Sequence, residues 1–440
     1  MTNEMLFKET RKIIHENMIK KQRDGKTDFH YTKPSPERYP YQFFWDTCFH
    51  VFILNALGEH DMAKEHILSL FSKQEDNGFV GHMIYWDRLK PGRLTDFFQS
   101  KFNYKNFYKS HMSSLVQPPM AAQAVERIFE ATGDKAFLQK MLPKLKKYYR
   151  WFAENRDFDG DRLLTIISPF ESGMDWKPTY DVVLGRKNKK AAWDLMLKVV
   201  NVDVRNFLNN YDLDRIYEKG YFLVKDVGFN TIYTCNLQSM ANICKILEDP
   251  EAEEFSLLQE EVTAAILGLM YNKEDKAFYD LHGKNNIQIK VLTPTIFYPV
   301  VLKDIPEEIK RGVLQTHFFD SKEFDAEFPI PSVAKNDPSF DPSASVFIWR
   351  GPTWIVNNWF LHGLLIKQGH KQESEKLIKS IRRLIEKSGF REYYNPFTGE
   401  GYGAKDFTWA GLITDMIRME EEEKEEQSCR NGKKSNSYNC

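Results

Sequence analysis

Apolar residues along this chain recur mostly at the three-and-four spacing of helices, and only rarely at the alternate spacing of strands. From Trp45, "WDTCFHVFILNALGEHDMAKEHILSLF" reads as an apolar helix, a break at Gly58 and a second helix with Ile67, Leu68 and Phe71 on one face. A loop follows at Asn77-Gly78. From Gln117, two prolines open a helix whose first turn tolerates their missing N–H groups; the pattern breaks at Gly133 and resumes through Tyr148 and Trp151. From Gly351 the same plan returns, with a break at Gly369 and an end at Gly389-Phe390. Each copy is an inner apolar helix, a glycine break and an outer amphipathic helix. Further helical stretches run from Asn230 to Tyr271 and from about Asp406, for roughly ten to twelve helices in antiparallel hairpins. Residues 1–26 read as one more amphipathic helix, and "KAFYDL" and "REYYN" as isolated strands.

Stacked helical hairpins form either an open solenoid or a closed ring. Here polar motifs cluster at the N-terminal ends of the inner helices, which a closed double ring would gather around one cavity. The expected fold is therefore all-α, an (α/α)6 barrel or toroid of helical hairpins, with residues 1–419 as one catalytic domain. Two segments, about 88–112 and 180–192, are too long for hairpin turns and are expected to line the cavity as insertions. Residues 420–440 are polar and biased, and are expected to be a disordered tail.

Composition narrows the function. The formal net charge is -1, so a nucleic acid or an anionic membrane is not the expected partner. The five cysteines are odd in number and irregularly spaced, which suggests neither a disulfide framework nor a zinc site. The N-terminus lacks a signal-peptide core, and no stretch approaches a membrane span. A cytoplasmic enzyme is expected, with no metal and no cofactor; homo-oligomerisation stays open. Aromatic residues make up 14% of the chain, enough to supply stacking faces for a sugar as well as a core.

The chemistry-bearing motifs sit at helix starts or in loops. "SPFESGMDWKP" places Glu171 and Asp175 four apart around Gly173. "YQFFWDTCFH" places Asp46 after Trp45, either as a helix cap or as an acceptor for sugar hydroxyls. His82 lies between glycines in "NGFVGHMIYW", Gln117 opens "QPPM", and Arg350 lies in "WRGPTW" after Trp349, placed to grip a carboxylate or to anchor a loop. "FREYYNPFTGEGYG" contains Glu392 and Tyr394. "DFDGD" lacks the spacing of a calcium loop and reads as a turn. Two acids from distant segments, with indoles and neutral hydrogen-bonding groups, suit glycoside hydrolysis. One acid protonates the leaving oxygen and the other activates water, the two roughly 6.5–9.5 Å apart for inversion.

In this order "FFWDTCFH", "QPP", "ESGMD", "WRGPTW" and "REYYNPFTGEGYG" resemble glycoside hydrolase family 63, in particular its short members acting on mannosylglycerate and glucosylglycerate. The resemblance spans about Tyr39 to Met419. It implies an (α/α)6 barrel and an inverting mechanism, with Asp175 as general acid, Glu392 as general base, Asp46 gripping the sugar and Gln117 beside it. The expected substrate-binding set is Tyr39, Trp45, Asp46, His82, Gln117, Gly173, Trp176, Lys177, Trp349, Arg350, Tyr394 and Trp409. One departure stands out: the family usually follows the acid with an Asn and a small residue, and here Trp176 and Lys177 follow. The expected substrate is a small α-glycoside with a short anionic aglycone, held by cations such as Arg88, Arg93, Lys101, Arg186, Lys187 and Lys177, with Tyr104 among the aromatics. The alternatives are a trehalase-like or α-glucosidase activity on a neutral disaccharide, or a non-catalytic helical toroid.

Overall fold

Six inner elements of the chain close a ring. The computed structural model describes residues 1–23, 26–86, 94–102, 111–187, 189–343 and 347–435. Among them are fifteen α-helices: α1 (Asn3–Glu16), α2 (Phe44–Ala56), α3 (His60–Phe71), α4 (Leu94–Phe98), α5 (Ala121–Thr132), α6 (Lys135–Arg156), α7 (Tyr180–Val183), α8 (Trp193–Leu208), α9 (Leu213–Lys219), α10 (Val227–Ile246), α11 (Ala252–Ala265), α12 (Glu307–Val313), α13 (Ile355–Lys367), α14 (Lys371–Ser388) and α15 (Leu412–Ser435). Helix α2 packs on α5, α5 on α10, α10 on the 3-10 segment Pro294–Val301, that segment on α13, α13 on α15, and α15 back on α2. These are the six inner elements. All thirteen residues of α2 are buried, as expected of a helix that is apolar on every side. The fourth inner element is 3-10 rather than α because Pro294 and Pro299 cannot donate to an α-helical ladder.

The outer layer follows from amphipathicity. Helices α3, α6, α11, α12 and α14 each pack on the inner element that precedes them, and α1 lies against α15. In α14, for example, Leu377, Ile378, Ile381, Leu384 and Ile385 are buried on one face. The result is the double ring of an (α/α)6 barrel, and buried residues from Leu6 to Ile417 form one continuous core. The breaks at Gly58, Gly133 and Gly369 all fall between helices.

Several local expectations differ. Pro118 and Pro119 lie before α5, which starts at Ala121 behind Met120; the proline tolerated within a helix is Pro143 in α6. The N-terminal helix stops at Glu16, and an antiparallel hairpin pairs Met18–Arg23 with Lys26–Thr32. Phe29 and Tyr31, two apart, are buried there, so a period of two overrides the helical reading. The polar end of the chain is also corrected: α15 runs on past residue 419 to Ser435. Its Glu and Lys are good helix formers, and Glu422 ties it to Arg127 of α5 at 3.0 Å.

An excursion between α6 and α10 carries α7, α8 and α9, with α8 packed on α4. Within the two insertions, Arg88, Arg93 and Tyr104 lie outside the described residues. Lys101 and Lys187 are exposed, whereas Arg186 is buried and pairs with Asp181 and Asp194, each at 2.8 Å. Among the described residues no helix is long and apolar enough to cross a membrane.

Candidate active site

The N-terminal approaches to four inner helices, α2, α5, α13 and α15, converge on a cavity of about 170 Å³. Trp45 and Asp46 reach it from the first turn of α2, and Gln117 from the segment before α5. Trp349 and Trp354 come from the approach to α13, and Trp409 from the 3-10 turn Thr408–Gly411 before α15. Tyr39 and His82 line it beside the short strands Gln42–Phe43 and Met83–Tyr85. Asp175 arrives on the loop after the 3-10 turn Pro169–Ser172.

The indoles form a tight frame. Trp349 stacks on Trp354 with centroids 3.8 Å apart, and Trp45 meets Trp409 edge-on at 5.4 Å. The Trp409 indole N–H donates to Asp46 Oδ1 at 2.9 Å, and the Trp45 backbone N–H donates to Gln117 Oε1 at 3.1 Å. Gln117 thus serves an unpaired N–H at the start of α2. Gly173 adopts φ +71°, and a Cβ there would lie 2.2 Å from Trp45 Cζ2. Only glycine lets the acid loop press against the indole.

The two carboxyls expected to act in catalysis live in different surroundings. Asp175 touches the cavity but is otherwise enclosed by protein, and burial pushes its pKa up to about 7. The charges of Asp203, Glu392 and Asp46 add to the rise. Asp46 is likewise raised to about 7 by burial, against the Trp409 hydrogen bond. Glu392 stands on the strand Arg391–Tyr394 behind Tyr39, outside the cavity's immediate lining. It accepts from the Tyr39 hydroxyl (2.7 Å), Arg38 Nη1 (2.8 Å) and the Ala404 backbone N–H (2.7 Å). The opposite strand, Gly401–Lys405, crosses so closely that a Cβ on Gly403 would lie 2.4 Å from Glu392 Oε2.

Four expected substrate contacts lie elsewhere. Lys177 is 1% exposed, and its ammonium bridges Asp226 (2.5 Å) and Asp280 (2.7 Å). Burial alone would lower its pKa, but those two carboxylates outweigh burial and raise it. Arg350 grips a carboxylate in bidentate fashion, but that carboxylate is Asp181, at 2.5 and 3.1 Å. Trp176 packs against Phe347 and Phe170. The Tyr394 hydroxyl donates to Gly389 O at 2.8 Å, away from the cavity. Glu171, fully buried, is held by both Arg156 guanidinium nitrogens and by the Val116 and Ile167 N–H groups. Three buried cations therefore fasten the acid loop, each committed to protein carboxylates.

The sequence reading missed Arg38, Thr95, Asp96, Gln99 and Asp203. Arg38 directly precedes Tyr39, and both donate to Glu392. Gln99 lines the cavity and donates to Asp203 Oδ2 at 3.1 Å, while Ser168 donates to Asp203 Oδ1 at 2.7 Å. Nothing in the spacing of α8 signals that contact.

The family profile described as "Mannosylglycerate hydrolase MGH1-like glycoside hydrolase domain" matches residues 39–410. The chain belongs to this family. It is a glycoside hydrolase of the family 63 type. A mannosylglycerate hydrolase from Rubrobacter radiotolerans is 28% identical over 88% of this chain and 93% of its own length. A glucosylglycerate hydrolase from Mycolicibacterium hassiacum is 26% identical over 88% of this chain and 94% of its own. The crystal structure of the family 63 mannosylglycerate hydrolase from Thermus thermophilus in complex with Tris superposes with a TM-score of 0.80 at 23% identity, covering 94% of this chain and all (100%) of that one. Family membership and the barrel thus agree for this glycoside hydrolase.

Proposed function

We propose that this glycoside hydrolase cleaves a small α-glucoside or α-mannoside with inversion, glucosylglycerate and mannosylglycerate first. Asp175 is the general acid. The observation that carries the reading is its carboxyl, raised to about 7 on the wall of an indole-framed cavity, so that it still holds a proton to give near neutral pH. Glu392 is the general base. Three donors fix its two oxygens, which orients the carboxylate to take a proton from water. Asp46 receives sugar hydroxyls in the indole frame, where contacts that tighten as the ring flattens lower the barrier. His82, whose pKa burial lowers to about 3, is neutral at working pH and acts through hydrogen bonding rather than charge.

The size of the cavity favours a single sugar ring over a longer glycan. Relatives matching along nearly their whole length carry the names mannosylglycerate and glucosylglycerate hydrolase, which sets the order of substrates. Because Lys177, Arg186 and Arg350 are committed to Asp226, Asp280, Asp181 and Asp194, an aglycone carboxylate must find other cations. The test is a hydrolysis screen over glucosylglycerate, mannosylglycerate, their neutral methyl esters, trehalose, kojibiose and nigerose, with the product anomer resolved at early times. The two glycerates should be cleaved fastest, with the β-anomer released first. Equal rates on the neutral disaccharides would overturn the aglycone assignment, and release of the α-anomer would overturn inversion.

A further inference from the structure

Helix α8 turns an apolar face outward. Its inner side is Leu195, Val199, Val202, Asp203 and Asn206, all buried. At about 100° per residue, the opposite side is Trp193, Leu197, Val200, Asn201, Val204 and Leu208. Trp193 is 69% exposed, Leu197 73% and Leu208 74%, and the exposed Phe102 (62%) packs its ring 6.2 Å from Phe207 of the same helix. Contiguous exposed apolar surface of this kind marks an interaction site. The apolar positions 193, 197, 200 and 204 alternate steps of four and three, the seam by which one helix packs against another.

We propose that this face is the seam of a two-fold dimer, in which α8 of one copy packs antiparallel on α8 of a second copy of the chain. The stripe is close to symmetric about a midpoint between Val200 and Asn201, so a two-fold axis there lays it on itself. The charges along its polar flank select the direction. Asp194 lies at the N-terminal end and Arg205 at the C-terminal end. Antiparallel pairing brings Asp194 of one copy toward Arg205 of the other, whereas parallel pairing sets like against like. Asp194 already pairs with Arg186, yet its side chain stays 46% exposed and open to a further partner. A flank with one acidic and one basic end complements itself, not a uniformly anionic surface. The contact also bears on the site: the Trp193 ring lies 6.3 Å from Phe347, which packs at 5.3 Å on Trp176, the residue after Asp175.

The test uses the full chain. Sedimentation velocity across a concentration series should give a dimer, and Leu197→Glu should weaken self-association about 30-fold or more, the effect of losing a buried anchor. Circular dichroism of that variant should be unchanged, since Leu197 leaves the core untouched; Leu208→Glu serves as a second variant at the far end of the stripe. Oxidative cross-linking then reads the geometry, with Cys429 and Cys440 replaced by Ser. Asn201→Cys, next to the axis, should link into dimers. Trp193→Cys should not, because two-fold antiparallel pairing keeps it roughly 22 Å from its own copy. A monomer at every concentration, with or without binding to lipid vesicles, overturns the proposal. So does a dimer that Leu197→Glu and Leu208→Glu leave intact, or cross-linking at 193 as strong as at 201.

Discussion

The loop that carries Asp175 and the hairpin that carries Glu392 hold their carboxyls by different means. The loop is irregular backbone, fastened by side chains: Arg156 on Glu171, Lys177 on Asp226 and Asp280, Arg350 on Asp181. The hairpin is fastened by its own ladder, Arg391 opposite Lys405 and Tyr393 opposite Tyr402. Among the described residues, the loop leaves Asp175 with no side-chain donor and a raised pKa, while the hairpin surrounds Glu392 with three donors. Environment thus sets the two carboxyls apart, in the way that the proposed proton donor and proton acceptor require.

The sharpest way to break the comparison is to remove each carboxyl. Asp175→Asn and Glu392→Gln should each lower kcat about 10²–10⁴-fold while melting temperatures hold. Azide should restore turnover to the Glu392 variant alone; rescue of Asp175→Asn instead would reverse the two roles. Next comes the fastening of the loop. Lys177→Met leaves Asp226 and Asp280 buried without their cation and should destabilise the protein by about 3–5 kcal/mol, read by chemical denaturation. Its kcat should fall more than its KM rises, because the acid is displaced while the indole frame stays; an unchanged kcat would make the pair purely structural. On the hairpin side, Tyr39→Phe removes one hydrogen bond to a buried carboxylate, worth about 1.5–3 kcal/mol of stability, and should lower both kcat and the melting temperature.

The smallest effect concerns pH. Asp203 is buried, and burial raises its pKa to about 7. A carboxyl whose folded pKa lies above its unfolded value contributes stability that is fully present below about pH 4 and lost as pH rises through about 7. Asp203→Asn, which keeps the shape but cannot ionise, should therefore melt higher than the parent at pH 8 and alike at pH 4. It should also move the alkaline limb of kcat to lower pH, since Asp203's charge helps hold the proton on Asp175. An unmoved limb would disconnect the two residues.

Much was legible without coordinates. Periodicity alone exposed the hairpins around α2, α5 and α13, because burying one face of a helix imposes a spacing that survives in sequence. It failed at the N-terminal hairpin, where buried Phe29 and Tyr31 define a period of two too short to stand out. It failed again at Pro294–Val301, an inner element whose prolines hide its place in the ring. For the site, the motif residues Trp45, Asp46, Gln117, Asp175, Trp349 and Trp409 do meet in one cavity.

What the sequence by itself determined was which residue types stand at the helix starts, and hence that acids and indoles would gather wherever those ends gather. What only the tertiary structure decided was which charges are free to meet a ligand. Lys177 follows the acid by two positions and Arg350 sits in the tryptophan motif, and both read as ready to grip a substrate. Each is instead closed onto a buried carboxylate, from residues 226 and 280 in one case and 181 in the other. A charge taken out of water must be matched by an opposite one wherever the chain happens to place it. That partner is fixed by distance in space, which spacing along the chain does not encode.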